Sequence, residues 1–142
     1  MANYYTHFSF VVPFEVQSEM ASKLLVQRLV GELGVLIQDA IDQDGNDLFA
    51  MNDIPYGLSV EAEGTDVWIH DDAGEGCIEP AVTAVRWLLD KPGAPGAVGF
   101  EWANTCSKPR VDGFGGGAVL VTRDDSHWMT TGEWLAKALQ ND

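Results

Sequence analysis

Several short segments of this chain alternate apolar and polar side chains, and this period of two restricts the fold to one built around a sheet. Residues 6–12 and 57–63 both alternate in this way. Successive side chains of a strand point to opposite faces, so each segment is expected to bury one side and expose the other. In the first segment Phe8, Phe10 and Val12 share the predicted inner side.

Other segments have helical spacing. Apolar residues recur every three or four positions over residues 16–33, and Gly34 follows as a predicted helix stop. Pro80 suits the first turn of a second helix. Thr130 and Glu133 have the spacing of a capping box ahead of a short C-terminal helix.

The order of these segments favours an α+β fold. Residues 57–63 and 66–70 are predicted to form a hairpin, and residues 97–103 to pair with residues 118–122. We therefore expect a mainly antiparallel sheet of about five strands with two or three helices packed on one face. At 142 residues the chain fits a single acidic domain spanning residues 1–142.

The chain lacks the patterns of membrane, exported and metal-binding proteins. No apolar run reaches the roughly 20 residues needed to cross a bilayer, and the first residues lack an export signal. Cys77 and Cys106 are far apart, without the spacing of a zinc site. His7, His70 and His127 are isolated from one another. We therefore expect a cytoplasmic protein with no metal and no cofactor.

Charge is distributed unevenly along the chain. The sequence has 22 acidic and 8 basic residues, and the formal net charge is −14. The 57 residues between Arg28 and Arg86 contain thirteen acidic residues and no lysine or arginine, whereas the other 85 residues sum to −1. DNA carries one charge per ~1.7 Å of duplex, so thirteen carboxylates match the charge on about 22 Å of DNA. Such a chain is expected to repel nucleic acid and to attract a basic protein.

Twelve acidic residues of this base-free region are predicted to form one partner-binding surface. They occupy turn-rich loops or the predicted outer side of a hairpin, where side chains face solvent. The residues are Asp39, Asp42, Asp44, Asp47, Asp53, Glu61, Glu63, Asp66, Asp71, Asp72, Glu75 and Glu79. Trp68 shares its strand side with His70 and not with Val67 or Ile69, so it is expected to face a partner or a second helix layer.

One part of this surface also has oxygen ligands in the alternating pattern of a calcium loop. Asp42, Asp44 and Asn46 supply them, but Gly45 does not stand at the sixth position and Asp53 replaces the glutamate at the twelfth. A solvated acidic loop is therefore preferred here, with divalent-cation binding left open.

A second motif combines a cysteine, two basic residues and a run of glycines. It contains Cys106, Lys108, Arg110, Phe114, Gly115, Gly116 and Gly117. Phosphate-binding glycines normally lie between a strand and a helix, but these lead into an apolar strand. We therefore predict a structural hairpin connection in which Phe114 packs into the core. Anion binding by Lys108 and Arg110 stays open as an alternative.

The stretch from Phe100 to Arg110, with Phe114–Ala118 and Val121–Thr122, resembles a C-terminal motif of small uncharacterised phage and mobile-element proteins. That family carries no established activity and no catalytic residues. The resemblance implies a setting in which accessory proteins bind host defence or nucleic-acid machinery.

Together these features predict a binding protein and not an enzyme. The preferred interpretation is an inhibitor that blocks a basic, nucleic-acid-handling host defence protein, as an anti-CRISPR or antirestriction protein does. A second is an immunity or antitoxin-like protein that neutralises a nuclease toxin. A third is a small-ligand or enzymatic domain that uses residues 106–117. Acidity that serves solubility alone also stays open.

Overall fold

A computed structural model describes residues 2–141 and contains seven strands and three helices. The strands are β1 (Tyr4–His7), β2 (Ser9–Pro13), β3 (Leu58–Glu63), β4 (Asp66–Asp71), β5 (Ala97–Cys106), β6 (Gly115–Thr122) and β7 (Ser126–Thr130). The helices are α1 (Glu19–Gln43), α2 (Ile78–Leu89) and α3 (Thr131–Gln140). None of these helices is long and apolar enough to cross a membrane.

The strands form two antiparallel sheets. The four-stranded sheet has the order β1-β5-β6-β7, and the three-stranded sheet has the order β2-β4-β3. The α+β class is therefore confirmed, with seven strands in two sheets where about five were predicted. The alternation in residues 6–12 was interpreted as one strand, but this segment is divided at Phe8, where the chain passes from one sheet to the other.

One side of each sheet forms the core. Val12, Val67 and Ile69 are fully buried on the three-stranded sheet, against which α1 packs. Phe100 is buried on the four-stranded sheet and stacks on Phe10 with ring centroids 4.1 Å apart. Phe8, Phe10 and Val12 therefore share the inner side, as the alternation predicts. The side chains at odd-numbered positions of β1 and β2 point away from this core.

Helix α1 is longer than predicted. It continues through Gly34 to Gln43 and ends where Asp44 adopts a left-handed conformation with φ 59°. The predicted stop at Gly34 is wrong because Ile37 and Ala40 continue the buried stripe that contains Leu33. Burial of this stripe outweighs the low helix propensity of glycine, which is worth about 1 kcal/mol.

Two glycines inside α1 offer a direct way to stabilise the protein. A methyl group at Gly31 or Gly34 would meet no atom within 4 Å. Alanine has less backbone freedom in the unfolded chain, so we expect Gly31→Ala and Gly34→Ala each to raise the free energy of unfolding by about 0.5–1 kcal/mol. Chemical denaturation measures this change. Gly64→Ala is the contrasting variant, because Gly64 has φ 62° and its substitution should destabilise the protein.

Residues 107–114 join β5 to β6, which pair in register from Ala97–Thr122 to Asn104–Gly115. They form a hairpin connection, but Gly115, Gly116 and Gly117, which were predicted to belong to it, are the first residues of β6. Phe114, however, does not pack into the core: its side chain is 55% exposed. The residue that turns inward is Gly113, where an added side chain would overlap with Cys106.

Candidate functional site on the open sheet face

The three-stranded sheet has one side that no described helix covers. Strand residues that pair directly across a sheet point to the same side, so the register identifies this side. Its members, which we call the open face, are Ser9, Val11, Pro13, Ser59, Glu61, Glu63, Asp66, Trp68 and His70. The buried residues Val12, Val67 and Ile69 lie on the opposite side of the same strands.

Trp68 lies at the centre of the open face. Its neighbours on the two flanking strands are Val11 and Glu61. Val11 is 43% exposed, so this position is open to solvent. The indole N–H of Trp68 donates to Ser9 Oγ at 2.8 Å, which holds the ring against the sheet. Aromatic side chains fixed in this way are favoured at protein interfaces.

The second aromatic ring of the open face, that of His70, lies between two hydrogen-bond acceptors. His70 Nδ1 lies 2.9 Å from the carbonyl oxygen of Asp71, and Nε2 lies 2.6 Å from Glu61 Oε2. The carbonyl and the carboxylate both accept hydrogen bonds, so both ring nitrogens can donate when the ring is protonated, and the two contacts favour the imidazolium form. The ring stacks on Trp68 with centroids 4.1 Å apart, a contact that a cation strengthens.

These contacts also set the pKa of His70. Desolvation lowers this pKa, but the hydrogen bonds to Glu61 and to the Asp71 carbonyl raise it by more, so the pKa lies above its ordinary value of 6.5. We expect Glu61→Gln to lower the pKa of His70 in an NMR titration. Glu63→Gln is the matched control, because Glu63 is on the same face and is not bonded to His70.

The same shift predicts the pH dependence of stability. A pKa raised by folding contributes stability that is fully present below the unfolded value of about 6.5 and is lost as the pH rises through the folded value. The difference in unfolding free energy between wild type and Glu61→Gln should therefore be larger at pH 6 than at pH 8. A His70 pKa that is unchanged in Glu61→Gln would contradict this assignment.

The twelve acidic residues of the predicted surface lie on several elements. Asp39 and Asp42 are in the last turns of α1, and Asp44 and Asp47 follow that helix. The hairpin of β3 and β4 carries Glu61, Glu63 and Asp66, all on the open face. The loop after β4 carries Asp72 and Glu75, and both are exposed. Asp53 and Glu79 form a separate pair beside α2, described below. Asp53 and Glu79 line a groove with Trp128, whereas the acids of the open face surround Trp68.

Asp71 has a different role from the one predicted. Its side chain is 13% exposed, and its two oxygens accept from the amides of Phe8 at 2.7 Å and Gly74 at 2.8 Å. His7 Nδ1 lies 3.5 Å away. This carboxylate fixes the point where the chain changes sheets and is turned away from solvent, so it adds little to an acidic surface.

Asp53 and Glu79 lie close together near the start of α2. Burial and the negative charge of Glu79 raise the pKa of Asp53, although a hydrogen bond from Thr83 Oγ1 at 3.1 Å opposes this. Burial, followed by the charges of Glu79 and Asp53, also raises the pKa of Cys77. A thiol with a raised pKa is less reactive, so Cys77 lacks the environment of a nucleophile.

The loop with the calcium-like pattern uses Asn46 for its own structure. The Asn46 side-chain amide donates to the Leu36 carbonyl, and its oxygen accepts from the amides of Leu48 and Phe49. Asn46 therefore stabilises the turn after α1, and its side-chain oxygen already accepts two backbone hydrogen bonds. Over residues 2–141, no group of three or more His, Cys, Asp or Glu side chains is arranged around a common point.

The groove beside the glycine-rich motif lacks the residues expected of an anion site. It is lined by Trp102, Val111, Phe114 and Leu135 together with backbone of β6. Lys108 and Arg110 are exposed, and Cys106 is partly buried beneath Gly113. The motif cysteine and the two basic side chains do not line this groove.

Part of the open face could not be located from sequence. The position of Trp68 next to His70 follows from strand alternation alone. The contributions of Ser9 and Val11 depend on the pairing of β2 with β4, more than fifty residues apart. The one available signal was the odd-numbered side of residues 6–12, which places Ser9 and Val11 opposite the core.

The chain matches no protein-family model, no curated protein and no solved structure.

Proposed function

We propose that this chain is an acidic binding protein whose open face covers the basic surface of a nucleic-acid-handling protein. The observation that carries the proposal is the placement of Glu61, Glu63 and Asp66 around Trp68 on a sheet side that no helix within residues 2–141 covers. Glu63 and Asp66 attract lysine and arginine side chains, and a cation can approach the face of the indole ring on which His70 does not stack. The two features favour the same kind of partner.

The charge of the whole chain supports this choice of partner. The acidic residues of the open face belong to the base-free region, so a cationic partner meets no competing lysine or arginine from residues 29–85. The same negative charge repels nucleic acid. It attracts the basic surface with which the partner binds nucleic acid, so this chain competes with nucleic acid for that surface. Together with the resemblance of the C-terminal motif to phage proteins, this favours an inhibitor of a host defence protein.

A capture experiment with charge-reversed variants tests the proposal. The wild type is immobilised, a bacterial lysate is applied at about 50 mM salt, and proteins released near 500 mM salt are identified, because exposed charges are screened over this range. We expect basic nucleic-acid-binding proteins among those released. The test variant changes four exposed or half-exposed acids of the hairpin and the following loop to lysine: Glu61, Glu63, Asp66 and Asp72.

A control variant separates position from net charge. It carries the same change in charge at four exposed acids that do not belong to the open face: Glu15, Glu32, Asp90 and Asp124. We expect the test variant to lose the captured proteins and the control to retain most of them. Equal loss in both variants would mean that general acidity, and not the open face, determines binding.

A further inference from the structure

A second exposed surface lies around α3, the last helix of the chain. Helix α3 buries none of its side chains. Trp134 is 62% exposed, Leu135 is 52% exposed and Leu139 is 66% exposed. An isolated ten-residue helix is marginally stable in water, and most helices gain their stability by burying an apolar face. This helix has such a face and leaves it in solvent.

The apolar face of α3 continues onto the hairpin connection. Val111 and Phe114 line the same groove as Leu135, and both are more than half exposed. Tyr4 is also exposed and pairs with Cys106 at the base of this connection. We call this surface the α3 patch; its members are Tyr4, Val111, Phe114, Trp134, Leu135 and Leu139. Exposed apolar side chains that are grouped in this way are typical of interaction surfaces.

We propose that the α3 patch binds a second copy of this chain. The charge distribution carries the choice of partner. Residues 107–114 and 131–140 contain three basic and two acidic residues, in a chain whose net charge is −14. Two copies that meet here bring no excess negative charge together, whereas the base-free region of one copy would repel that of the other. The α3 patch is therefore suited to self-association.

The charges on α3 are also self-complementary. Glu133 and Lys137 are one helical turn apart, and no ion pair joins them in the described structure. In a two-fold symmetric dimer whose axis is perpendicular to α3, the two copies of α3 run antiparallel, so that Glu133 of each copy can approach Lys137 of the other. The apolar residues of the two helices then cover each other. The open face lies on other strands and stays accessible.

The oligomeric state of the purified chain tests this proposal. Sedimentation equilibrium from about 1 to 300 μM spans the affinity range of a modest apolar interface. The apparent molecular mass of the wild type is expected to approach twice the 15.4 kDa of one chain at high concentration. Leu139→Asp should raise the dissociation constant tenfold or more, because it places a charge in the apolar contact. Val35→Asp is the matched control, since Val35 is 69% exposed on α1.

A second pair of variants tests the role of charge. Lys137→Glu makes all the charged side chains of α3 acidic and should weaken the dimer. High salt should partly restore the affinity between the two copies. Lys23→Glu makes the same change on α1 and should leave the dimer unchanged. Circular dichroism verifies that each variant is folded. A wild type that stays monomeric over the whole range, or a dimer that Leu139→Asp and Lys137→Glu leave intact, would overturn the proposal.

Discussion

Asp71→Ala is expected to lower the free energy of unfolding by about 2–4 kcal/mol. The substitution leaves the amides of Phe8 and Gly74 without an acceptor, and both residues are buried. A buried amide that loses its partner costs about 1–3 kcal/mol, and bonds to a charged acceptor are at the upper end of that range. Urea denaturation measures the change. Asp72→Ala is the control, because its exposed side chain makes no described hydrogen bond.

The same carboxylate should make stability sensitive to acid. Burial raises the pKa of Asp71, but the two amide hydrogen bonds and the nearby His7 lower it by more, so the net pKa lies below the ordinary 3.8. Its contribution is therefore fully present above about pH 3.8 and is lost as the pH falls through the folded value. Asp71→Ala should flatten this acid limb of the stability curve. An unchanged limb in a destabilised variant would assign the acid sensitivity to other carboxylates.

Gly117→Val is expected to lower the free energy of unfolding by about 3 kcal/mol or more. A side chain at Gly117 would overlap with the Met129 carbonyl oxygen on the neighbouring strand and would lie 2.5 Å from Trp102 Cζ2. Neither atom belongs to a flexible side-chain end, so β6 would have to move away from β7 or displace the indole ring. The loss of this packing should lower the melting temperature sharply.

Gly99→Val provides the comparison for Gly117→Val. Gly99 lies on the paired strand β5, and its nearest atoms to an added carbon are at 3.7 and 3.8 Å, which is ordinary contact. We expect this variant to fold with nearly wild-type stability. If Gly117→Val does not fold, Gly117→Ala gives a smaller perturbation in the same direction. Neutral substitutions usually change the free energy of unfolding by no more than about 0.5 kcal/mol. A change this small in Gly117→Val would show that the strands adapt to the added side chain.

Local sequence patterns predicted much of the fold. The hairpin of β3 and β4, the pairing of β5 with β6 and the capping of α3 by Thr130 follow from strand alternation and capping spacing. These features depend on neighbours in sequence. The end of α1 was misplaced because Gly34 is a frequent helix terminator, and only the burial of Ile37 on the sheet shows that the helix continues.

Features that depend on distant residues could not be predicted. The role of Asp71 requires the amide of Phe8, which is 63 positions away. Strand β7 was missed because Ser126–Thr130 does not alternate, and its pairing with β6 defines it. Gly117 was predicted to lie in the hairpin connection, whereas it lies in β6 and leaves space for Trp102. For the candidate site, alternation placed Glu61, Glu63 and Trp68 on outer sides, and the strand register brought them together.

The most direct test of the open face as the partner-binding surface is the association rate constant of a captured basic protein, measured against salt concentration. Electrostatic attraction raises association rates by tenfold or more at low salt, and screening removes this gain. For the wild type and the control variant changed at Glu15, Glu32, Asp90 and Asp124, we predict fast association at low salt that falls steeply as salt is added. For the variant changed at Glu61, Glu63, Asp66 and Asp72, we predict slow association with little salt dependence. If that variant is folded and associates as the wild type does at every salt concentration, the open face does not bind the partner.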